Sequence, residues 1–129
     1  MKKSELYLNE YAALCREADR LEPEMFDRYE VQRGLRDKNG NGVVTGLTNI
    51  SRIDSFKMVD GVKTPCEGKL WYRGYDCIEL VNGFRGKHAG FEEVAYLLLF
   101  GKLPSTQQMK KFREILADSR TLPTNFTRD

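Results

Sequence analysis

One segment constrains the fold more than any other, the apolar run from Gly90 to Pro104. Two glutamates occupy its first turn, where the positive end of a helix dipole favours them. Gly101 suits a left-handed C-terminal cap, and Pro104 prevents continuation. Residues 91–100 leave no polar face over the last turns. The sequence therefore predicts a helix over 91–100 that is buried on every side and needs other elements to cover it.

Three further helices are predicted around this segment. Apolar residues recur at helical spacing near the start of the chain and predict a helix over about 4–21, and Pro23 either ends it or opens a short second helix. Capping boxes that begin at Asp76 and Ser105 predict helices over about 76–82 and 105–120. Pro123 lies beyond the last of these helices and stops it.

The signals between these helices are those of a loop and a β-hairpin over about 34–73. Val59-Asp60-Gly61-Val62 is a hairpin turn with matched valines, and a returning strand is expected only after Pro65. Because an isolated hairpin must rest on other structure, we expect a mostly α fold with a small antiparallel β-hairpin. A chain of 129 residues has room for one such domain over 1–129.

The segment 37–48 partly matches the sequence pattern of a calcium-binding loop. Asp37, Asn39, Asn41 and Gly42 match its opening, with oxygen ligands at alternate positions and a glycine for the turn. Position twelve is Thr48, however, where a bidentate glutamate should close the coordination sphere. A tight turn at one of the Asn-Gly pairs is therefore favoured over a calcium site.

The charge balance and the cysteine and histidine content of the chain argue against several classes of function. The chain has 21 basic and 19 acidic residues, which is too balanced to favour nucleic acid or an acidic membrane. Three cysteines without Cys-x-x-Cys spacing (Cys15, Cys66 and Cys77) favour neither disulfides nor a zinc site. His88, the single histidine, is expected to be a solvated loop residue. No leader or membrane span is apparent, so we expect a soluble, cytoplasmic protein without a metal site.

Two motifs together resemble the N-terminal portion of the citrate synthase family. They are Gly-Lys-Leu-Trp-Tyr-Arg-Gly-Tyr-Asp at 68–76 and Gly-Phe-Glu-Glu-Val-Ala-Tyr-Leu-Leu-Leu-Phe-Gly-Lys-Leu-Pro-Ser at 90–105. The upstream segments 34–48 and 50–54 look like the same family's entry segment, so the resemblance covers roughly residues 30–123. It implies a mostly helical enzyme, a homodimeric acyltransferase that joins oxaloacetate and acetyl-CoA into citrate and free CoA.

The resemblance also implies what this chain lacks. In the family a carboxylate deprotonates the acetyl methyl group, two histidines stabilise the enol and polarise the oxaloacetate carbonyl, and arginines hold the substrate carboxylates. Those motifs belong to the family's later, C-terminal portion, so we assign no catalytic or substrate-binding residue and no cofactor here. Arg73 is the single candidate for a ligand contact, although a structural role is favoured. The isolated chain is expected to be inactive and to self-associate through its uncovered apolar surface.

Two alternatives remain open on the sequence. A 2-methylcitrate synthase, which uses propionyl-CoA, has the same motifs, because the acyl pocket does not lie in this stretch. A stand-alone helical binding or regulatory module, with a calcium loop at 37–48, belongs to a different class of function.

Overall fold

The structure is a computed structural model, and it describes residues 3–32, 34–84, 90–122 and 126. Pro123 and His88, two residues singled out from the sequence, lie outside the described residues. In chain order the elements are α1 (Lys3–Ala18), α2 (Glu24–Arg28), β1 (Ser51–Val59), β2 (Val62–Tyr72), β3 (Tyr75–Asp76), α3 (Cys77–Phe84), α4 (Gly90–Phe100) and α5 (Thr106–Asp118).

The chain forms two compact units. The helical unit comprises Met1–Ala18 and Val81–Asp129, and the sheet unit comprises Asp19–Leu80. In the part of the chain that the structure describes, none of the helices combines the length and the apolarity that crossing a bilayer requires.

The expectation of a mostly α fold is wrong. β1 and β2 contain 9 and 11 residues, so each is comparable in length to α4 with its 11 residues. With β3 they form a three-stranded antiparallel sheet in the order β1-β2-β3. The fold is therefore α+β, with strands and helices segregated along the chain.

Pro65 explains why the sheet is longer than its sequence pattern suggests. It lies inside β2, where the register shifts from the pair Asp54 and Lys69 to the pair Phe56 and Pro65. The register thus advances by two residues on β1 and by four on β2. At such a bulge a residue does not have to donate its backbone N–H to the neighbouring strand, so a strand tolerates a proline there. A proline that normally ends a strand is accommodated inside this one.

The helical unit has an aromatic core. Tyr96, Phe100 and Phe112 are 1%, 7% and 5% exposed, and the rings of Phe100 and Phe112 meet edge to face at 5.9 Å. Tyr11 of α1 stacks on Phe100 with ring centroids 5.1 Å apart. Each such pair adds about 0.5–1.5 kcal/mol beyond the burial of its area. The aromatic pairs therefore hold α1, α4 and α5 together.

α4 is buried along part of its surface only. Leu97 is 0% exposed, whereas Phe91 is 82% and Leu99 is 46% exposed. These 129 residues therefore leave part of this apolar helix uncovered, as expected from the small number of elements that can pack against it.

Local signals set several helix ends. The Ser105 hydroxyl accepts a hydrogen bond from the Gln108 N–H at 3.3 Å, and the Gln108 side chain accepts one from the Ser105 N–H at 2.8 Å, which confirms the capping box of α5. Asp76 accepts hydrogen bonds from the N–H groups of Ile78 and Glu79 at the start of α3. α1 ends at Ala18, earlier than the expected end at 21, and Pro23 precedes α2.

Candidate functional site

Arg73, the one ligand candidate from the sequence, lies in a two-residue turn. Tyr72 of β2 pairs with Tyr75 of β3, and Arg73 and Gly74 connect them with φ angles of 47° and 86°. A two-residue hairpin loop favours positive φ at both positions because its twist then matches that of the strands. The Arg-Gly pair therefore makes a tight turn, although arginine adopts this backbone conformation at a cost.

The Arg73 side chain joins three segments of the sheet unit. Its guanidinium donates to Asn49 Oδ1 at 2.6 Å and to Asp19 Oδ1 at 2.7 Å, and its backbone N–H donates to the Ile50 carbonyl at 2.8 Å. The side chain is only 4% exposed. These contacts connect the chain after α1 and the chain before β1 to the turn, which favours a structural role.

A cavity of about 300 Å³ lies beside this turn. It is lined by segment 48–52 and by Trp71, Arg73 and Gly74. The indole Nε1 of Trp71 is buried and has no hydrogen-bond partner within the described part of the chain. The guanidinium of Arg52 lies 5.2 Å from the centroid of the Trp71 ring. Because Nε1 has essentially no accessible surface, the cavity presents the Arg52 guanidinium and not this N–H group.

The calcium-like loop has a different geometry from a cation site. Asp37 Oδ1 accepts hydrogen bonds from the N–H groups of Asn39 and Asn41 at 2.8 and 2.9 Å, and its Oδ2 accepts one from the Asn41 amide at 3.1 Å. The Gly40 N–H donates to the Asp37 carbonyl, with Gly40 at a φ of 83°. These bonds, first of all the one from the Asn41 N–H, lower the pKa of Asp37. The carboxylate thus closes its own turn, which favours the tight-turn interpretation.

A second concave surface lies in the helical unit, with a volume of about 650 Å³. Acidic and basic side chains of α4 and α5 line it together with Arg120, whose guanidinium lies 3.8 Å from the Glu92 carboxylate. The mixed charges do not select one sign of ligand, and no nucleophile with an adjacent base lines it.

The perturbed titratable groups do not have the properties of catalytic bases or nucleophiles. Burial, followed by the nearby Tyr96 and Glu10, raises the pKa of Tyr11 to about 12. Burial and the adjacent Asp76 raise the pKa of the Cys77 thiol, which disfavours the reactive thiolate. Among the described residues no three His, Cys, Asp or Glu side chains come together as metal ligands do.

Comparison with known proteins decides the family. The family model described as citrate synthase, C-terminal domain, matches residues 35–129. The chain belongs to the citrate synthase family. That description names the C-terminal domain, whereas the sequence motifs led us to expect the N-terminal portion. The position of this segment within longer citrate synthases stays a prediction.

Curated citrate synthase relatives extend this similarity. The chain is 36% identical over 93 residues to 2-methylcitrate synthase 1 of Corynebacterium glutamicum, an alignment that covers 72% of this chain and 19% of the relative. It is 34% identical to the citrate synthase of Saccharolobus solfataricus, over 63% of this chain and 19% of the relative. It is 46% identical over 54 residues to 2-methylcitrate synthase of Shewanella oneidensis, over 42% of this chain and 13% of the relative. No solved structure gives a significant match.

The alignments span at most about a fifth of the length of these citrate synthases. The family motif draws attention to Arg73 but not to the cavity beside it. Trp71 and Arg52 come together because β1 and β2 pair in a register that places them opposite each other. The Gly-Lys-Leu-Trp motif contains no signal of that pairing.

Proposed function

We propose that this chain is a segment of a longer citrate synthase that condenses oxaloacetate with acetyl-CoA to give citrate and free CoA. The observation that carries the proposal is the family match over residues 35–129. The short share of the relatives' length supports the view that further chain completes the enzyme. A cytoplasmic homodimer is part of the same proposal, and the free thiols of the three cysteines suit a reducing compartment.

The segment alone is expected to be inactive. Condensation needs a base for the acetyl methyl group and donors for the enol and carbonyl oxygens. The described residues offer no such constellation, and Arg73 is bound to Asp19 and Asn49. The catalytic side chains are therefore expected from the remainder of the enzyme.

A 2-methylcitrate synthase is the second candidate. The relatives from Corynebacterium glutamicum and Shewanella oneidensis have that name, whereas the relative from Saccharolobus solfataricus is named citrate synthase. The two reactions differ by one methylene in the acyl group, which a pocket discriminates by roughly 10–200-fold.

Two measurements test the proposal in sequence. The first is the intact mass of the native protein from its source cells, which should be several times the 14.9 kDa of this chain. The second is CoA release by that native protein with oxaloacetate, measured with acetyl-CoA and with propionyl-CoA. Preference for acetyl-CoA supports the leading candidate, and preference for propionyl-CoA supports the second.

A native mass of 14.9 kDa would contradict the proposal. The alternative of a stand-alone binding or regulatory module would then be tested by calcium. Stabilisation of the protein by millimolar calcium, lost in Asp37→Ala, would support it, and indifference to calcium would exclude a calcium loop at 37–48.

A further inference from the structure

We infer that two copies of this chain pair through the uncovered edge of β1 and join their sheets into one. The strand order β1-β2-β3 leaves one side of β1 without a neighbouring strand. Within the described part of the chain, no backbone hydrogen bond joins Ser51–Val59 to a segment other than β2. Such an edge presents a row of N–H and C=O groups that a further strand can bond. This inference goes beyond the proposed condensation and does not depend on it.

β1 is long and regular for an edge strand. It contains 9 residues and no proline, and each of them except Asp54 is exposed. The extra residues of the bulge belong to β2, so β1 itself keeps the regular alternation of side chains between the two faces. Charges normally protect an edge, and β1 has three charged residues, Arg52, Asp54 and Lys57. They restrict the registers in which a second β1 fits, because like charges directly opposite each other are destabilising.

A two-fold axis at Phe56 gives a self-complementary register. When a two-fold axis relates two antiparallel copies of a strand, residues equally far from the axis lie opposite each other on the same face. An axis at Phe56 therefore places the two Phe56 rings side by side and Ile53 opposite Val59 of the second copy. These side chains are 46%, 73% and 42% exposed, so each has apolar surface that pairing would cover. Arg52 then lies opposite Asp60 of the second copy, and the two charges are complementary.

Other positions of the axis are less complementary. A shift of one residue toward the N-terminus puts Ile53 opposite Lys57, and a shift of one residue toward the C-terminus puts Asp54 opposite Asp60. A shift of two residues toward the N-terminus sets the two Asp54 carboxylates opposite each other, which their like charge disfavours. Larger shifts leave about half of β1 or less inside the pair. The sequence of β1 thus matches a second copy of itself in one register, with the axis at Phe56.

Amide hydrogen exchange of β1 tests the pairing directly. In an antiparallel ladder every second amide of an end strand points away from its neighbour, so these amides of β1 exchange without unfolding in a single copy. The 129-residue chain is compared at micromolar and at millimolar concentration. The edge-facing amides of β1 should exchange at least about tenfold more slowly at the higher concentration, because each then donates to the second copy. Association through a surface other than this edge would not slow them.

Two opposite charges at the axis test the register. Phe56→Lys and Phe56→Glu each place like charges opposite each other, so each alone should weaken the association by about tenfold or more. An equal mixture of the two variants places Lys opposite Glu, so the mixture should associate about tenfold more tightly than either variant alone. Val62→Lys is the matched control, because Val62 is 65% exposed but lies on β2 and not at the uncovered edge. Its association should stay within about twofold of the original. The concentration dependence of β1 exchange measures all four samples.

Three results would overturn the inference. They are equal exchange of β1 at the two concentrations, a mixture that associates no better than its components, and an equal loss in Val62→Lys. An edge that a different protein covers would give the first result, and packing of the sheets face to face would give the third. Phe56 is half-exposed, so its replacement should leave the fold intact, which far-ultraviolet circular dichroism verifies. If a variant unfolds, exchange in the unchanged chain still decides the inference. CoA release by the native enzyme tests the proposed condensation separately.

Discussion

Arg73 occupies a backbone conformation that any residue with a Cβ adopts at a cost. Its φ of 47° lies in the left-handed region, where glycine is comfortable and other residues lose roughly 1–2 kcal/mol. The side chain, which is 4% exposed, offsets that cost through hydrogen bonds to Asn49 and to Asp19, whose own side chain is 57% exposed. The contacts that Arg73 makes between distant parts of the sheet unit therefore compensate for its local backbone strain.

This balance predicts losses of stability that differ between two substitutions of the same residue. Arg73→Ala keeps the strained backbone and loses both hydrogen bonds, so we expect a loss of about 1–3 kcal/mol in the free energy of unfolding, since the exposed Asp19 carboxylate stays hydrated. Arg73→Gly loses the same bonds but relieves the strain, so it should cost about 1 kcal/mol less than the alanine variant. Urea unfolding followed by Trp71 fluorescence measures both.

Arg52→Ala is the control for losing an arginine from the same sheet. Its side chain is 68% exposed and its ion pair with Asp54 is at the surface, so the loss should stay below about 1 kcal/mol. If Arg73→Ala costs no more than Arg52→Ala, the structural role of Arg73 is wrong and the ligand-contact hypothesis returns.

The hairpins of the sheet are defined by their turns. Val59 pairs with Val62 around Asp60 and Gly61, whose φ angles are 50° and 78°. As in the Arg73 turn, both central residues have positive φ, which fixes a two-residue loop and with it the register of the strands.

Alanine substitutions at two glycines, one in the turn before β2 and one within β2, distinguish the cost of backbone strain from the cost of a steric clash. A Cβ added at Gly61 or at Gly68 meets nothing within 4 Å, but only Gly61 has a positive φ, of 78°. Gly61→Ala should therefore cost about 1–2 kcal/mol through strain alone. Gly68→Ala should be neutral or stabilise by up to about 1 kcal/mol, because it reduces the entropy of the unfolded chain. Urea unfolding compares the two, and equal effects would contradict this account.

The contrast between these elements shows which features a sequence can predict. The Asp60-Gly61 turn and the Ser105 capping box depend on residues close in sequence, and both are as expected. The bulge at Pro65 depends on a partner strand, which residues close in sequence do not reveal. The proline therefore predicted a returning strand shorter than the one in the structure. The cavity at Trp71 was unpredictable for the same reason, since it requires the β1–β2 register.

At the scale of the whole chain, the helical unit leaves large apolar side chains uncovered. Leu8, Phe91 and Leu99 are 66%, 82% and 46% exposed. Scattered exposed apolar residues are normal, but α4 is apolar along nearly its whole length. In the proposed citrate synthase, further chain would cover such surface. In the isolated chain, a second copy is the available cover.

We therefore expect the isolated chain to self-associate reversibly as its concentration rises. Phe91→Ser should weaken that association by roughly tenfold or more, because burying a Phe side chain contributes about 1.5–3 kcal/mol. Gln107→Ser, at an exposed polar position of α5, is the control and should leave association unchanged. Sedimentation velocity over a wide concentration range measures both. A strictly monomeric profile at high concentration would contradict the prediction, and the exposed face of α4 would then have to be stable in water by itself.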